Sequence, residues 1–165
     1  MLKKQIQDDV KGAMKQGNQE VAGVLRMLLA SITSKEKEKR YKVSKENPNL
    51  KEEELLEKSQ LADEEIITTL SSEVKKRKDA IAVFARANRS ELAEQEKKEL
   101  NILESYLPAE ISDEELSSEV KKAITESQAQ SPADFGKAMK ILAPLLKGKA
   151  SGNRIADAVK NALSC

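Results

Sequence analysis

The sequence has no histidine and no tryptophan, a single cysteine in 165 residues, and only two phenylalanines and two tyrosines. Without histidine the chain loses the commonest general base near neutral pH and the commonest metal ligand. With one cysteine beside that loss, neither a zinc site of the usual kind nor a Ser-His-Asp or Cys-His arrangement can be assembled. No metal and no cofactor are expected. The cysteine, Cys165, stands at the end of the chain; it permits no intrachain disulfide, which suits a reducing compartment, and it is assigned no function. The few aromatics cannot make a stacking platform for bases. No apolar run reaches the roughly twenty residues of a membrane span, and "MLKKQIQDDV" carries acids where a secretory signal has an apolar core. No membrane partner is expected, and the expected location is cytoplasmic. Val and Ile never alternate with polar residues over a stretch, so no strand is expected.

Charge is abundant instead. Charged residues make up 35% of the chain and hydrophobic ones 39%, with a net charge of only +1. Such a mixture, rich in Lys, Glu, Ala and Leu, points to an all-α protein. Leu2, Ile6, Val10, Ala13 and Met14 form one helical stripe, Gly17 stops it, and Asn18 caps a second helix bearing Val21, Val24, Leu25, Leu28, Leu29 and Ile32. Residues 35 to 60 are highly charged and contain Pro48, which predicts a mobile loop with a short helical piece near Glu52–Glu57. Asp63 is expected to cap a long helix with Ile66, Ile67, Leu70, Val74, Ile81 and Phe84 on its stripe; Ser90 to cap another through Leu92, Leu100 and Leu103. Pro108 breaks the pattern, and Ser112 with Glu115 makes a capping box inside the staple of Ile111 and Leu116. Ser131 with Pro132, and later Ser151, start the last two helices, and Pro144 ends or kinks the first of these. The expected organisation is an N-terminal helical bundle over residues 1–92, a connecting helix over 93–110, and a small C-terminal three-helix domain over 111–165.

The most informative stretch is "FGKAMKILAPLLKGKASGNRI", residues 135–155. It fails as a Walker-type phosphate loop on three counts: Gly148-Lys149 is followed by Ala150 rather than a hydroxyl residue, position 143 is alanine rather than glycine, and no strand precedes it. Helix punctuation accounts for Gly148, Pro144 and Ser151 but not for the charge. Between residues 137 and 160 the cations Lys137, Lys140, Lys147, Lys149, Arg154 and Lys160 face only Asp157, whereas residues 91–126 hold eleven acids against four lysines. A basic cluster beside helix N-termini suits phosphates; an ordinary solvated lysine face is the alternative. A second basic run, Lys75, Lys76, Arg77 and Lys78, wraps right round its helix and so presents no single face; it is a weaker candidate surface. Arg77 falls on the apolar stripe, where its stem is expected to pack and its head to reach the rim or a carboxylate. The clustered acids Glu64, Glu65 and Asp113–Glu115 sit in first helical turns, where the helix dipole explains them. No catalytic residue is assigned.

Three stretches, "LRMLLASI" at 25–32, "EVKKRKDAIAVFARANRSELAEQEKKELNILESYLPAEIS" at 73–112 and "DFGKAMKILAPLLKGKASGNRI" at 134–155, resemble the GatB/YqeY family, and within it the stand-alone YqeY-like proteins. The resemblance implies an all-helical fold in two parts. It also implies likeness of the C-terminal part to the tail of the B subunit of aminoacyl-tRNA amidotransferase, the tRNA-facing module of that enzyme. The residues matching the family motif are Lys137, Lys140, Lys147, Gly148 and Lys149; Ser151-Gly152 stands where the family often has Asp-Gly, which makes the locality more positive. The expected partners are thus tRNA and an aminoacyl-tRNA amidotransferase or synthetase. The family carries the label of a carbon–nitrogen ligase with glutamine as amido-N-donor, read here as an association with a pathway because the residues for such chemistry are not present in the chain. The expected function is that of a non-catalytic accessory protein; a protein-interaction adaptor without RNA and an amide-transferring ligase in its own right are the alternatives.

Overall fold

A computed structural model describes residues 1–164; Cys165 lies outside the described residues. The chain is all-α: the described residues form eight α-helices and one short 3-10 turn, with no strand among them. It divides into two compact units, Met1–Leu107 and Pro108 onward.

The first unit contains α1 (Leu2–Lys15), α2 (Gln19–Glu46), α3 (Glu52–Ser59), α4 (Asp63–Arg86) and α5 (Ser90–Glu104). The α1–α2 turn is made as the sequence predicts. Gly17 takes φ +72°, the left-handed region that ends a helix, and Asn18 Oδ1 accepts from the Val21 N–H at 3.1 Å. The apolar stripes of α1, α2 and α4 meet in one core containing Ile6, Leu25, Leu28, Ile32, Ile66 and Leu70, all essentially inaccessible to water. Burying each of these large aliphatic side chains contributes about 1.5–3 kcal/mol. Leu100 and Leu103 join the same core, and α5 packs against α4. Met14, placed on the predicted stripe, is half-exposed where α1 ends.

Residues 35–60 were expected as a mobile loop with a short helical piece near Glu52–Glu57; that piece is α3, and most of the remainder is helical too. α2 continues to Glu46 and α3 follows after five residues. Ion pairs accompany this helix. Glu36 takes Lys3 at 2.7 Å, Glu65 takes Lys39 at 2.6 Å, and Glu52 takes Arg40 at 3.0 Å, tying the polar half of α2 to α1, α4 and α3. Asp63 also differs from expectation. Ala62 occupies the cap of α4, and the Asp63 carboxylate instead accepts from the Leu2 N–H at 2.8 Å.

Gly23 lies inside α2, and a Cβ there would meet nothing within 4 Å. Gly23→Ala is therefore expected to raise stability by about 0.5–1 kcal/mol through the lower helix entropy cost of alanine. Gly17→Ala, at a positive φ, is expected to cost about 1–2 kcal/mol. Denaturation midpoints check both; shifts of the same sign would contradict this backbone reading.

The second unit is a three-helix arrangement of α6 (Asp113–Ser127), α7 (Phe135–Leu145) and α8 (Gly152–Leu163), with the 3-10 turn Pro132–Asp134 leading into α7. Ser112 Oγ accepts from the Glu115 N–H while Glu115 accepts from the Ser112 N–H, both at 3.2 Å, completing the predicted capping box. Each helix packs on the other two. Their core contains Leu116, Val120, Ala138, Leu142, Leu146, Ile155 and Val159. Ala162, in the last turn of α8, is exposed.

Candidate nucleic-acid interface

The basic stretch begins at the 3-10 turn. Pro132 holds the first-turn position, and the Asp134 carboxylate accepts from the Gln130 N–H at 3.1 Å and the Ser131 hydroxyl at 3.2 Å. Lys137, one turn on, pairs with the same carboxylate at 2.6 Å. The Lys137 ammonium, with these hydrogen bonds, holds the Asp134 carboxyl down at about 2. Lys140 follows on the same side of α7, three residues after Lys137.

Pro144 sits in the last turn, and the helix stops one residue later. Leu146 is then buried, which turns the chain inward between Leu145 and Lys147. Gly148 takes φ +77°, a conformation that costs a side-chain-bearing residue about 1–2 kcal/mol. The Lys149 and Ala150 N–H groups both donate to the Leu146 carbonyl, at 3.0 and 3.2 Å. Ser151 caps α8, its Oγ accepting from the Arg154 N–H at 3.2 Å.

The six cations between 137 and 160 thus divide into two kinds. Lys137 pairs with Asp134, Arg154 pairs with Asp113 at 2.5 Å, and the Lys160 ammonium lies 5.9 Å from the centre of the Phe135 ring. The hydrogen bond to Asp113 pushes the Arg154 guanidinium further up from its ordinary value, with Glu110 adding to the effect. Lys140, Lys147 and Lys149 are exposed and make no ion pair among the described residues. Sequence reasoning grouped Arg154 with these lysines. Its acidic partner stands 41 residues earlier, at the first turn of α6, and the one signal for it was that both residues lie in first helical turns of the same small domain.

The run at 75–78 is organised differently. Lys76 pairs with Glu73 at 2.8 Å and Lys78 with Glu104 at 2.8 Å. Arg77 Nη1 lies 2.7 Å from a carboxylate oxygen of both Glu96 and Glu99 on α5. The Glu96 contact is a hydrogen bond, while Glu99 Oε2 is paired by proximity without hydrogen-bond alignment. Three of these four cations are therefore compensated within their own unit. As expected, Arg77 packs its stem and brings its head to carboxylates.

A groove of about 710 Å³ opens between α6 and α8, with Leu116, Val120 and Ala158 along its floor and Asp113, Arg154, Lys121 and Asp157 at its edges. Among the described residues, no group of three or more Cys, Asp or Glu is placed to hold a metal ion, and no helix is long and apolar enough to cross a membrane.

The family model described as Yqey-like protein matches residues 46–163, from the last residue of α2 to the end of α8. The chain belongs to the Yqey-like protein family. No curated protein matches it. The Yqey-like match takes in the whole second unit up to Leu163, both basic runs, and two of the three stretches that carried the sequence resemblance, 73–112 and 134–155. The third, 25–32, lies outside it.

Proposed function

We propose that this Yqey-like protein is a non-catalytic accessory of tRNA handling, and that its second unit meets the phosphate backbone through Lys140, Lys147 and Lys149. One observation carries the reading: these three exposed lysines have no acidic partner among the described residues, in a stretch with no acid between Asp134 and Asp157. The remaining candidates contribute less direct charge. Lys137 and Arg154 are each held by a carboxylate, and Lys160 sits over a ring. Gly148 supplies the turn that separates Lys147 from Lys149. With so few aromatics, recognition rests on backbone and shape rather than on base stacking. The similarity of the family's C-terminal part to the amidotransferase tail supports tRNA as the polyanion and an amidotransferase or synthetase as the protein that performs the chemistry.

Titration of unfractionated tRNA at several salt concentrations tests this. The slope of log K against log salt is expected to become shallower by about three in the Lys140→Ala/Lys147→Ala/Lys149→Ala variant. Equal affinity and slope in wild type and variant would sink the assignment.

A second reading, a protein-interaction adaptor without RNA, is favoured by the α6–α8 groove with its apolar floor. It predicts a partner complex that survives nuclease and high salt, and no tRNA affinity in the titration.

A further inference from the structure

We propose that Arg154 is a positioning residue rather than a phosphate ligand: with Ile111 it forms a clasp that holds the Lys147–Lys149 turn in the conformation the RNA contact uses, an inference that rests on the function proposed above. Both backbone polar groups of Ile111 are engaged by the segment that carries the turn. Its N–H donates to the Lys149 carbonyl at 2.9 Å, and its carbonyl accepts from Arg154 Nη2 at 2.8 Å. The Ile111 side chain packs against the core of the second unit, so the anchor itself is seated. The same Nη2 donates to Asp113 Oδ1, which fixes the guanidinium and neutralises it. The Arg154 backbone is fixed in turn by Ser151.

Residues 149 and 154, which flank the start of α8, are thereby bridged to one residue. On the other side, the Lys149 and Ala150 N–H groups are tied to Leu146. Only the side chains of Lys147 and Lys149 are left to act. An arginine already paired with a carboxylate brings less surplus charge to a polyanion, whereas one nitrogen of its planar guanidinium is held between two acceptors, a placement that an ammonium on a flexible stem keeps less well. Ile111 also directly follows Pro108–Glu110, the start of the second unit. A shift of this segment would be passed to Lys149 through a single hydrogen bond.

The test uses the full chain with Arg154→Lys, which keeps the charge but not the fork, and Asp113→Asn, which releases the arginine. In Arg154→Lys, the amides of Ile111, Lys149 and Ala150 are expected to exchange with deuterium about tenfold faster than in wild type, as loss of a charge-assisted hydrogen bond would produce. Affinity for unfractionated tRNA should fall with an unchanged salt slope. In Asp113→Asn a phosphate ligand would steepen that slope by about one; a positioning residue leaves it as it was. Unchanged exchange at the three amides, or a steeper slope in Asp113→Asn, overturns the inference. If wild type binds no tRNA the proposed function fails by itself, while the exchange rates still decide whether the clasp orders the turn.

Discussion

Arg77→Ala is expected to destabilise the first unit by about 3–5 kcal/mol, the scale seen when one partner is removed from a buried ion pair. The Arg77 side chain is 19% exposed, and those of Glu96 and Glu99 are 20% and 12% exposed. Removing the guanidinium leaves two neighbouring carboxylates in a seam with little water. The nearby cations are engaged elsewhere: Lys78 pairs with Glu104 and Lys97 with Glu94. The cost thus comes from stranded charge rather than from the loss of a strong attraction. A variant that removes the whole group, Arg77→Met/Glu96→Gln/Glu99→Met, is therefore expected to recover most of the loss, since apolar replacement of an entire buried cluster is often neutral or stabilising. Urea denaturation of the three proteins decides it. If Arg77→Ala lies within about 1 kcal/mol of wild type, the cluster behaves as a solvated surface pair and the seam between α4 and α5 is wetter than its geometry implies. The same variant bears on the second basic run. A guanidinium neutralised by two carboxylates has nothing to offer phosphate, so Arg77→Ala should leave the tRNA salt slope unchanged wherever the protein remains folded.

Several helix ends were legible because they are written in local chemistry, whereas Asp63 and Ser90, expected as caps, lie inside α4 and α5 behind Ala62 and Arg89. Asn18, the Ser112–Glu115 box and Ser151 lie beside the N–H groups they serve, and Gly17 and Gly148 take the conformations that only glycine adopts cheaply. The core was legible where a stripe ran through the middle of a helix. At helix ends the same spacing misled: Met14 and Leu92 keep the period but stay partly exposed. The polar half of α2 was illegible because its support is not periodic. Its carboxylate and ammonium partners lie on three other helices, up to 33 residues away in sequence. The candidate site was half legible for the same reason. Composition shows which residues are cationic, but only the packing of α6 against α8 shows that Asp113 takes Arg154, while Lys140, Lys147 and Lys149 find no acid among the described residues.

Leu142→Ala is expected to cost about 2–5 kcal/mol, the range for truncating a buried leucine, and in the second unit that is enough to abolish the fold. Leu142 is wholly buried on α7, in a core shared with Val120, Ala138, Leu146 and Val159. A helical unit of this size rarely has more than about 3–5 kcal/mol in hand. The cavity would open where all three helices meet, so no pair of them retains a complete interface. Leu145, three residues on and 50% exposed, is the matched control; Leu145→Ala is expected to change stability by no more than about 0.5 kcal/mol. Amide exchange across α6, α7 and α8 separates the outcomes: protection disappears in Leu142→Ala and persists in Leu145→Ala. Equal protection in the two variants would mean that α7 is not the keystone of this unit. The functional consequence follows from the same geometry. Lys147 and Lys149 follow directly on the turn that buried Leu146 makes, so under the function proposed above tRNA affinity in Leu142→Ala should fall as far as in the triple lysine variant, although every cation is still present.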